Sequence, residues 1–403
     1  MGNTEIKEQI KLLAHNYFDY VVQVRRFLHQ NPELSKQEKQ TADFICKQLD
    51  KIQGVSYRNN IGGYGICGFV NGKSDNGQCV ALRADMDALP ICETTKLPFA
   101  SISDGVMHAC GHDVHCATLL GAICILSELR DSFEGRIMFI FQPSEEEYPG
   151  GAIEMIQAGI FDTIKPSSIF SFHTTPEMEC GKVGLKAGNC MASTDEFNIK
   201  IRGKGGHGAM PNLNVDPIVV AAHIVIALQT IVSRNADPSV PTTLSIGNII
   251  TEGGRTNITP SVVKLEGIIR TFDDSWRKEI HNLIKRISVQ TAEAFGATVD
   301  VFIDNGYPAI FNDLKVTERT KELLEDFFGE DSVLDIGVRM TAEDFSYFAQ
   351  RIPACYLRLG TKKERFPITN LHSSNFDVEE RSMEYGMAME AFLAIKSLDF
   401  DKN

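Results

Sequence analysis

The chain has 403 residues, which is more than one hydrophobic core usually organises, so two domains are expected. Its hydrophobic content of 43% and charged content of 23% are ordinary for a globular protein. The formal net charge of −13 repels phosphate groups and anionic lipid headgroups, so neither nucleic acid nor a membrane is expected as a partner.

Ten cysteines are scattered along the chain without paired short spacings, and the start MGNTEIKEQI lacks the apolar run of a secretory signal. Free thiols in a reducing cytoplasm are therefore expected. No apolar run reaches the length of about 18 residues that predicts a membrane span. The nearest candidate, residues 218–232, contains His223 and Gln229 and predicts a core helix.

Helices and short apolar runs alternate along the first part of the chain, which predicts an α/β layer structure. The first fifty residues are predicted to be helical, and the second helix covers 37–52. The following elements are strands at 64–70, 79–83 and 136–142, a helix at about 114–131, and later strands at 169–172 and 356–359.

A different unit is predicted from residue 191 to residue 304. Its order of strand, helix, two strands, helix and strand is the ferredoxin-like split motif. Asp216 and Pro217 supply an N-cap and a first-turn proline for its first helix. We expect residues 191–304 to form a domain inserted into a discontinuous one made of residues 1–190 and 305–403.

Two glycine patterns resemble nucleotide-binding loops but lack the necessary context. Residues 63–68 match GxGxxG, yet an apolar strand follows where a helix is needed. Residues 203–208 follow a strand, but Pro211 and a polar stretch separate them from the next helix. Neither loop predicts a dinucleotide site.

The stretch His-Ala-Cys-Gly-His-Asp-Val-His at residues 108–115 is hard to explain by packing. A thiolate and an imidazole two residues apart do not share a helix face, but Cys110 and His112 can converge from a turn at Gly111. The alternative is a polar loop whose Asp113 caps the next helix. The cluster alone favours a metal site without proving one.

Three carboxylates, Glu145, Glu146 and Glu147, follow the strand predicted at 136–142. Neighbouring residues of an extended segment point in opposite directions, so one glutamate can bind metal while the next faces water. That division suits hydrolysis, because a metal lowers the pKa of water to about 7 and a carboxylate takes the proton. The alternative is a solvated acidic turn.

Two histidines lie at or beyond the ends of later strands, His173 and His372. A lone histidine there is more often structural than a ligand. Together with the earlier candidates they complete a five-ligand set of Cys110, His112, Glu146, His173 and His372. Asp87, after the strand at 79–83, is expected to orient an imidazole or the thiolate, with a helix cap or turn as the alternative.

These segments resemble the aminoacylase and carboxypeptidase family of two-metal exopeptidases, and especially its amidohydrolase branch. That branch includes hippurate hydrolases and plant indole-acetyl-amino-acid hydrolases. The resemblance covers nearly the whole chain and rests on residues 83–90, the cluster at 108–115, Gln142-Pro143-Ser144-Glu145-Glu146, Gly205-Gly206-His207, Gly253-Gly254 with Asn257, Arg270 and Glu343-Asp344-Phe345.

The resemblance implies a zinc-exopeptidase-like α/β/α catalytic domain with an inserted ferredoxin-like (βαββαβ) domain for dimerisation and as a lid. It implies two divalent metal ions per subunit (Zn, Mn, Co or Ni), with Cys110 bridging them and Glu145 as general base. A homodimer, or a higher homo-oligomer, is implied as well. His207 would reach the partner's site and stabilise the oxyanion, while Asn257 and Arg270 would bind the substrate.

The chain departs from the family pattern near the expected substrate space, at Ser144, at Glu147-Tyr148-Pro149 and at Thr174-Thr175. Side-chain specificity is therefore not carried over. The expected function is hydrolysis of the amide bond of an N-acyl amino acid or similar small conjugate. The alternative enzyme is a dipeptidase or carboxypeptidase on the same scaffold, and the alternative from another class is a non-catalytic binding protein.

Overall fold

The computed structural model describes residues 2–364 and 368–399. The chain divides into two compact units. The first comprises Met1–Cys190, Phe311–Gly337 and Asp344–Asn403, and the second comprises Met191–Ile310 and Val338–Glu343. Compared with the insert expected over 191–304, the second unit continues to Ile310 and takes in one short later segment.

The elements are numbered in chain order. The helices are α1 Asn3–Gln30, α2 Lys39–Leu49, α3 His112–Glu128, α4 Gly151–Gln157, α5 Pro217–Thr230, α6 Asp274–Ala294, α7 Leu314–Phe328, α8 Ser346–Ala349 and α9 Ser382–Ser397. The strands are β1 Val55–Ile61, β2 Gly65–Asn71, β3 Cys79–Asp85, β4 Arg136–Gln142, β5 Ser168–Glu179, β6 Val183–Leu185, β7 Gly188–Met191, β8 Asp195–Arg202, β9 Gly206–His207, β10 Thr242–Glu252, β11 Ile258–Thr259, β12 Val262–Thr271, β13 Thr298–Asn305, β14 Ile310–Asn312, β15 Val333–Asp335 and β16 Ala354–Lys362.

The first unit is built on an eight-stranded mixed sheet in the order β1-β2-β4-β3-β5-β16-β6-β15. Its central strands β4, β3, β5 and β16 run parallel to one another. Strand β2 pairs antiparallel with both of its neighbours, β1 and β4. Because parallel strands end at the same edge of a sheet, the segments after β3 and β4 emerge beside each other. The predicted α/β class is confirmed.

Helix α3 is apolar on nearly every side and buried from His112 to Ser127. Such a helix belongs inside a domain, and α3 packs against both α1 and α9. Packing in the core therefore fixes the first turn of α3, and with it the positions of the side chains on that turn. Helix α4 packs against α8 in a separate contact.

The second unit has a four-stranded antiparallel sheet in the order β10-β12-β8-β13, with α5 and α6 packed together against it. The predicted strand and helix order of the ferredoxin-like motif is confirmed. The side chain of Asp216 caps α5 as expected, since it accepts the Ile218 N–H at 2.9 Å.

One helical stretch, Pro217–Asn235, is long and apolar enough to cross a membrane by those two measures alone. Five of its side chains lie in the core of the second unit, namely Val220, Ala221, Ile224, Leu228 and Ile231. A core helix passes the same test, so this stretch is weak evidence for a membrane span.

Candidate metal centre

The turn before α3 presents Cys110 and His112 from either side of Gly111. Gly111 has φ +93°, a region that side chains rarely adopt, and a Cβ there would lie 2.5 Å from Thr174 Oγ1. Asp113 does not cap the helix, contrary to the alternative drawn from the sequence. Its buried carboxylate instead accepts from Arg25 Nε and contacts His29 Nδ1, each at 2.8 Å.

Two buried imidazoles are held in the tautomer that leaves Nε2 bare. Nδ1 of His112 lies 2.9 Å from the carbonyl oxygen of Asp87, and Nδ1 of His173 lies 2.7 Å from that of Thr174. A carbonyl only accepts, so each Nδ1 carries a proton, and in the neutral ring that binds a metal each Nε2 keeps its lone pair. Nε2 of His112 is buried without a hydrogen-bond partner among the described residues. A buried lone pair of this kind is suited to a metal.

Cys110 lies at the meeting point of two groups of possible ligands. Its Sγ is 3.3 Å from Nε2 of His173 and 3.3 Å from Nε2 of His372. The ligand atoms of Cys110, His112 and His173 lie within 4.8 Å of one another, and so do those of Cys110, Glu146 and His372. The structure therefore brings together all five residues predicted as ligands, with one sulfur shared by both groups. Their role as ligands stays a prediction.

The two adjacent glutamates differ in their surroundings. Glu146 lies 3.1 Å from His372 through Oε1 and Nε2. Glu145 is 7% exposed, and its carboxylate shares a third group within 4.8 Å with His112 and Glu146. The preceding Ser144 has φ +55°, and its N–H donates to Glu38 Oε1 at 2.8 Å. Strained backbone of this kind concentrates at functional sites.

Asp87 ties the two sides of the cluster together. Its Oδ2 accepts from the Ser35 hydroxyl at 2.6 Å and from the Glu146 N–H at 2.9 Å. Its Oδ1 lies 3.3 Å from Nδ1 of His112. These contacts agree with an orienting role, and they do not fit the alternative of a simple turn former.

A fully buried polar network underlies the cluster, and the sequence reasoning missed it. Arg83 donates to Asp85 Oδ2 at 2.7 Å, to Gln142 Oε1 at 2.8 Å and to Asp344 Oδ1 at 3.0 Å. Asp85 ends β3 and Gln142 ends β4, so the network fixes both segments that lead to the cluster. The sequence marks the motifs that contain Arg83 and Asp344 only through the family resemblance.

The charges of the cluster fit a bound cation. Burial would lower the pKa of His112, but the carboxylates of Asp85 and Asp87 raise it to about 10. Burial and the carboxylates of Glu146 and Glu145 raise the pKa of the Cys110 thiol well above its usual value. Both shifts report a site rich in negative charge, so the residues present fit one or more divalent metal ions.

The three remaining candidates belong to the second unit. His207 pairs with Ile258 between β9 and β11, and the Gly208 N–H donates to the Asn257 carbonyl at 2.9 Å. Arg270 lies near the far end of β12, eight residues from Val262, which corresponds to about 26 Å along a strand. Within one chain, the structure brings His207 and Asn257 together and separates Arg270 from that hairpin.

Comparison with known proteins gives consistent matches. Residues 81–396 match Peptidase family M20/M25/M40. N-acetyl-L-cysteine deacetylase of Bacillus subtilis (strain 168) is 39% identical over 364 residues, which cover 90% of this chain and 84% of that protein. Thermostable carboxypeptidase 2 of Saccharolobus solfataricus is 37% identical over 396 residues, 97% of this chain and 99% of that protein.

A solved structure extends the similarity to the fold. The YXEP protein of Bacillus subtilis, described as a dinuclear metal binding peptidase from the M20 family, superimposes with a TM-score of 0.83. The two sequences are 30% identical, and the match covers 96% of this chain and 99% of the YXEP chain. The resemblance drawn from the motifs is confirmed: this chain belongs to peptidase family M20/M25/M40 and is a hydrolase.

Proposed function

We propose that the chain is a metal-dependent amidohydrolase that cleaves the amide bond of N-acyl amino acids or similar small conjugates. The observation that carries the proposal is the position of Cys110 Sγ in two groups of ligand atoms, beside the buried carboxylate of Glu145. The similarity to N-acetyl-L-cysteine deacetylase supports the substrate class.

The ligand assignment follows from the two groups. His112 and His173 would bind one ion, Glu146 and His372 would bind the other, and the thiolate of Cys110 would bridge them. Imidazole, carboxylate and thiolate together are compatible with zinc, manganese, cobalt or nickel. The printed description of the YXEP structure as dinuclear supports two ions per subunit.

When bound, the ions polarise the substrate carbonyl and lower the pKa of water to about 7. Glu145 accepts the proton of the attacking water and returns it to the leaving nitrogen, so the carboxylate is restored after each cycle. Its near-complete burial strengthens both proton transfers by excluding bulk solvent. Asp87 and the backbone carbonyls that hold the imidazoles keep the ligands in one geometry.

We propose that the working enzyme is a homodimer. If His207 steadies the oxyanion and Arg270 binds the same substrate, the distance of Arg270 from the β9–β11 hairpin favours contributions from two different chains. Apolar side chains lie exposed on α5 and on the edge strand β10 of the second unit, namely Ile218, Val219, Ile226, Ile249 and Ile250. Such a surface suits a symmetric contact between two copies.

The ten cysteines, all in the described part of the chain, are free thiols. This supports the proposed location in a reducing cytoplasm. Among the free thiols is Cys110, which has to stay reduced to bind metal.

The competing activity is that of a dipeptidase or carboxypeptidase, and the similarity to Thermostable carboxypeptidase 2 supports it. The metal-loaded enzyme is assayed with a panel of N-acyl amino acids and a matched panel of dipeptides that have free amino groups. The proposal predicts turnover of the N-acyl amino acids that a chelator abolishes and divalent metal restores. Turnover confined to the dipeptides, or unaffected by the chelator, would overturn it.

A further inference from the structure

His115 is the third histidine of the cluster at 108–115, and the proposed mechanism does not use it. Its Nδ1 lies 2.6 Å from Asp85 Oδ1, and its Nε2 lies 3.0 Å from the backbone nitrogen of Thr174. A backbone N–H only donates, so Nε2 is the acceptor and Nδ1 carries the proton toward Asp85. Both ring nitrogens are therefore engaged. His115 is unavailable as a metal ligand, although its ring lies within 4.8 Å of His112 and Asp85.

Thr174, which follows the proposed ligand His173, contacts the cluster through all three of its polar groups. Its N–H donates to His115, and its carbonyl accepts from His173 Nδ1 at 2.7 Å. Its hydroxyl donates to the carbonyl oxygen of Cys110 at 3.1 Å. Thr174 is fully buried, so each of these groups would be unsatisfied if its partner were lost.

The other end of the His115 ring is also fixed. Asp85 accepts from His115 through one oxygen and from Arg83 at 2.7 Å through the other, and all three side chains are buried. The imidazole thus spans the space between the end of β3 and the strand β5. It has one allowed tautomer and one allowed orientation.

We propose that His115 and Thr174 are positioning residues that hold the ring of His173 against the thiol of Cys110. His115 joins the end of β3 to the backbone beside His173. Thr174 joins that backbone to the turn that carries Cys110. The proposal deepens the proposed function and rests on it only in requiring that the cluster binds metal. It assigns no direct contact with metal or substrate to either residue.

The consequence is specific to one of the two proposed metal positions. Without the His115 acceptor, the buried Thr174 N–H loses its partner, and the middle of β5 shifts or admits water. The ring of His173 would then leave its place, whereas Glu146 and His372 are held by other contacts. Loss of a residue that orients a ligand typically costs about 10–100-fold in metal affinity.

The test is a cobalt(II) titration of the metal-stripped, full-length protein, in which two binding steps are expected for the wild type. His115→Leu is expected to weaken one step by about 10–100-fold and to leave the other unchanged. His115→Gln should restore much of the lost affinity, since one amide can donate to Asp85 and accept from Thr174. Thr174→Val, which removes only the hydroxyl, should produce a smaller weakening of the same step.

His108→Leu is the matched control. His108 is a buried imidazole of the same segment, and neither of its ring nitrogens has a hydrogen-bond partner among the described residues. The control therefore removes the same bulk without removing a bond, and both cobalt steps should remain. Two unchanged steps in His115→Leu, or equal damage in His115→Leu and His108→Leu, would overturn the positioning role. A wild type that binds no cobalt would instead overturn the proposed function.

A second readout needs no metal. Hydrogen exchange of the Thr174 amide, measured on the metal-stripped proteins, should be slow in the wild type and in His108→Leu. It should be faster in His115→Leu and slow again in His115→Gln. Equal protection of this amide in all four proteins would show that His115 does not hold the backbone beside His173, and would contradict the proposal.

Discussion

The Sγ atom of Cys110 lies 3.3 Å from Nε2 of His372, although the two residues are 262 positions apart in the chain. His372 reaches this position with φ +60°, a conformation that costs a non-glycine residue about 1–3 kcal/mol. Its backbone N–H donates to the carbonyl of Ala109 at 2.8 Å, which anchors the loop beside the thiol. The same sulfur contacts His173, so one atom joins two sets of ligands.

Replacement of this shared atom should affect both metal ions. Cys110→Ser exchanges a thiolate for a hydroxyl, which is a poor ligand for both ions, so we expect metal content to fall below about one ion per chain. Cys124→Ser makes the same change at the other end of α3 and should retain both ions. Elemental analysis after dialysis checks the prediction. Loss of a single ion from Cys110→Ser would argue against a bridging thiolate.

Asp87 should contribute to metal affinity without binding metal. Asp87→Asn removes the negative charge 3.3 Å from the His112 ring, and we expect about 10–100-fold weaker binding of one ion. Ser35→Ala removes one hydrogen bond to Asp87 and leaves its charge, so its effect should be smaller. A metal titration of both variants measures the difference. Wild-type affinity in Asp87→Asn would exclude the orienting role.

Glu390 should make stability depend on pH. It is buried on α9, its carboxyl oxygens have no hydrogen-bond partner among the described residues, and burial raises its pKa well above 4.5. As pH rises through 4.5, the unfolded chain releases a proton that the folded chain retains, so the free energy of unfolding falls until the folded pKa is passed. The amide in Glu390→Gln has no proton to release in this range, so its free energy of unfolding should not fall for this reason.

We therefore expect the Tm of Glu390→Gln to exceed that of the wild type by a margin that grows as the pH rises above 4.5. Glu384→Gln, the same change at a partly exposed position of α9, is the control and should show no such trend. Thermal melts across this range check the prediction. A margin that shrinks with rising pH would mean that the buried carboxyl is stabilised as a charged group.

The dimeric active site can be tested by mixing two defective chains. His207→Ala and Glu145→Gln should each be nearly inactive alone, because each removes one component from every site. In a mixed dimer, one of the two sites takes Glu145 from the His207→Ala chain and His207 from the Glu145→Gln chain, so that site is intact. Co-expression should restore up to about a quarter of wild-type activity, since half of the dimers are mixed. A co-expressed mixture as inactive as the two parents would place both residues in sites built from one chain.

Much of the architecture could be predicted because its signals are local. Strand β4 was predicted with its observed limits, and α5 begins at the predicted proline behind the Asp216 cap. The start of α3 was predicted two residues late, because Asp113 was considered as a cap. The partners of Asp113 are Arg25 and His29, which lie more than 80 residues earlier in the chain. No local sequence pattern points to them.

The residue types of the candidate site could be predicted, but their tautomers and supporting contacts could not. The sequence placed Cys110 and His112 in one motif, and hydrolytic chemistry suggested the glutamates. The acceptors at Nδ1 of His112 and His173 are backbone carbonyls, which every residue carries and no motif marks. The role of His115 likewise depends on the backbone N–H of Thr174, which lies 59 residues later in the chain.

The most direct measurement compares Glu145→Gln with Glu147→Gln on an N-acyl amino acid substrate. Glu145 is buried in the cluster, whereas Glu147 is exposed and pairs with Lys36 at 2.8 Å. We predict that Glu145→Gln retains two metal ions and loses about 10²–10⁴-fold in kcat, while Glu147→Gln remains close to wild type. Wild-type kcat in metal-loaded Glu145→Gln would contradict the account, because the proton of the attacking water would then go elsewhere.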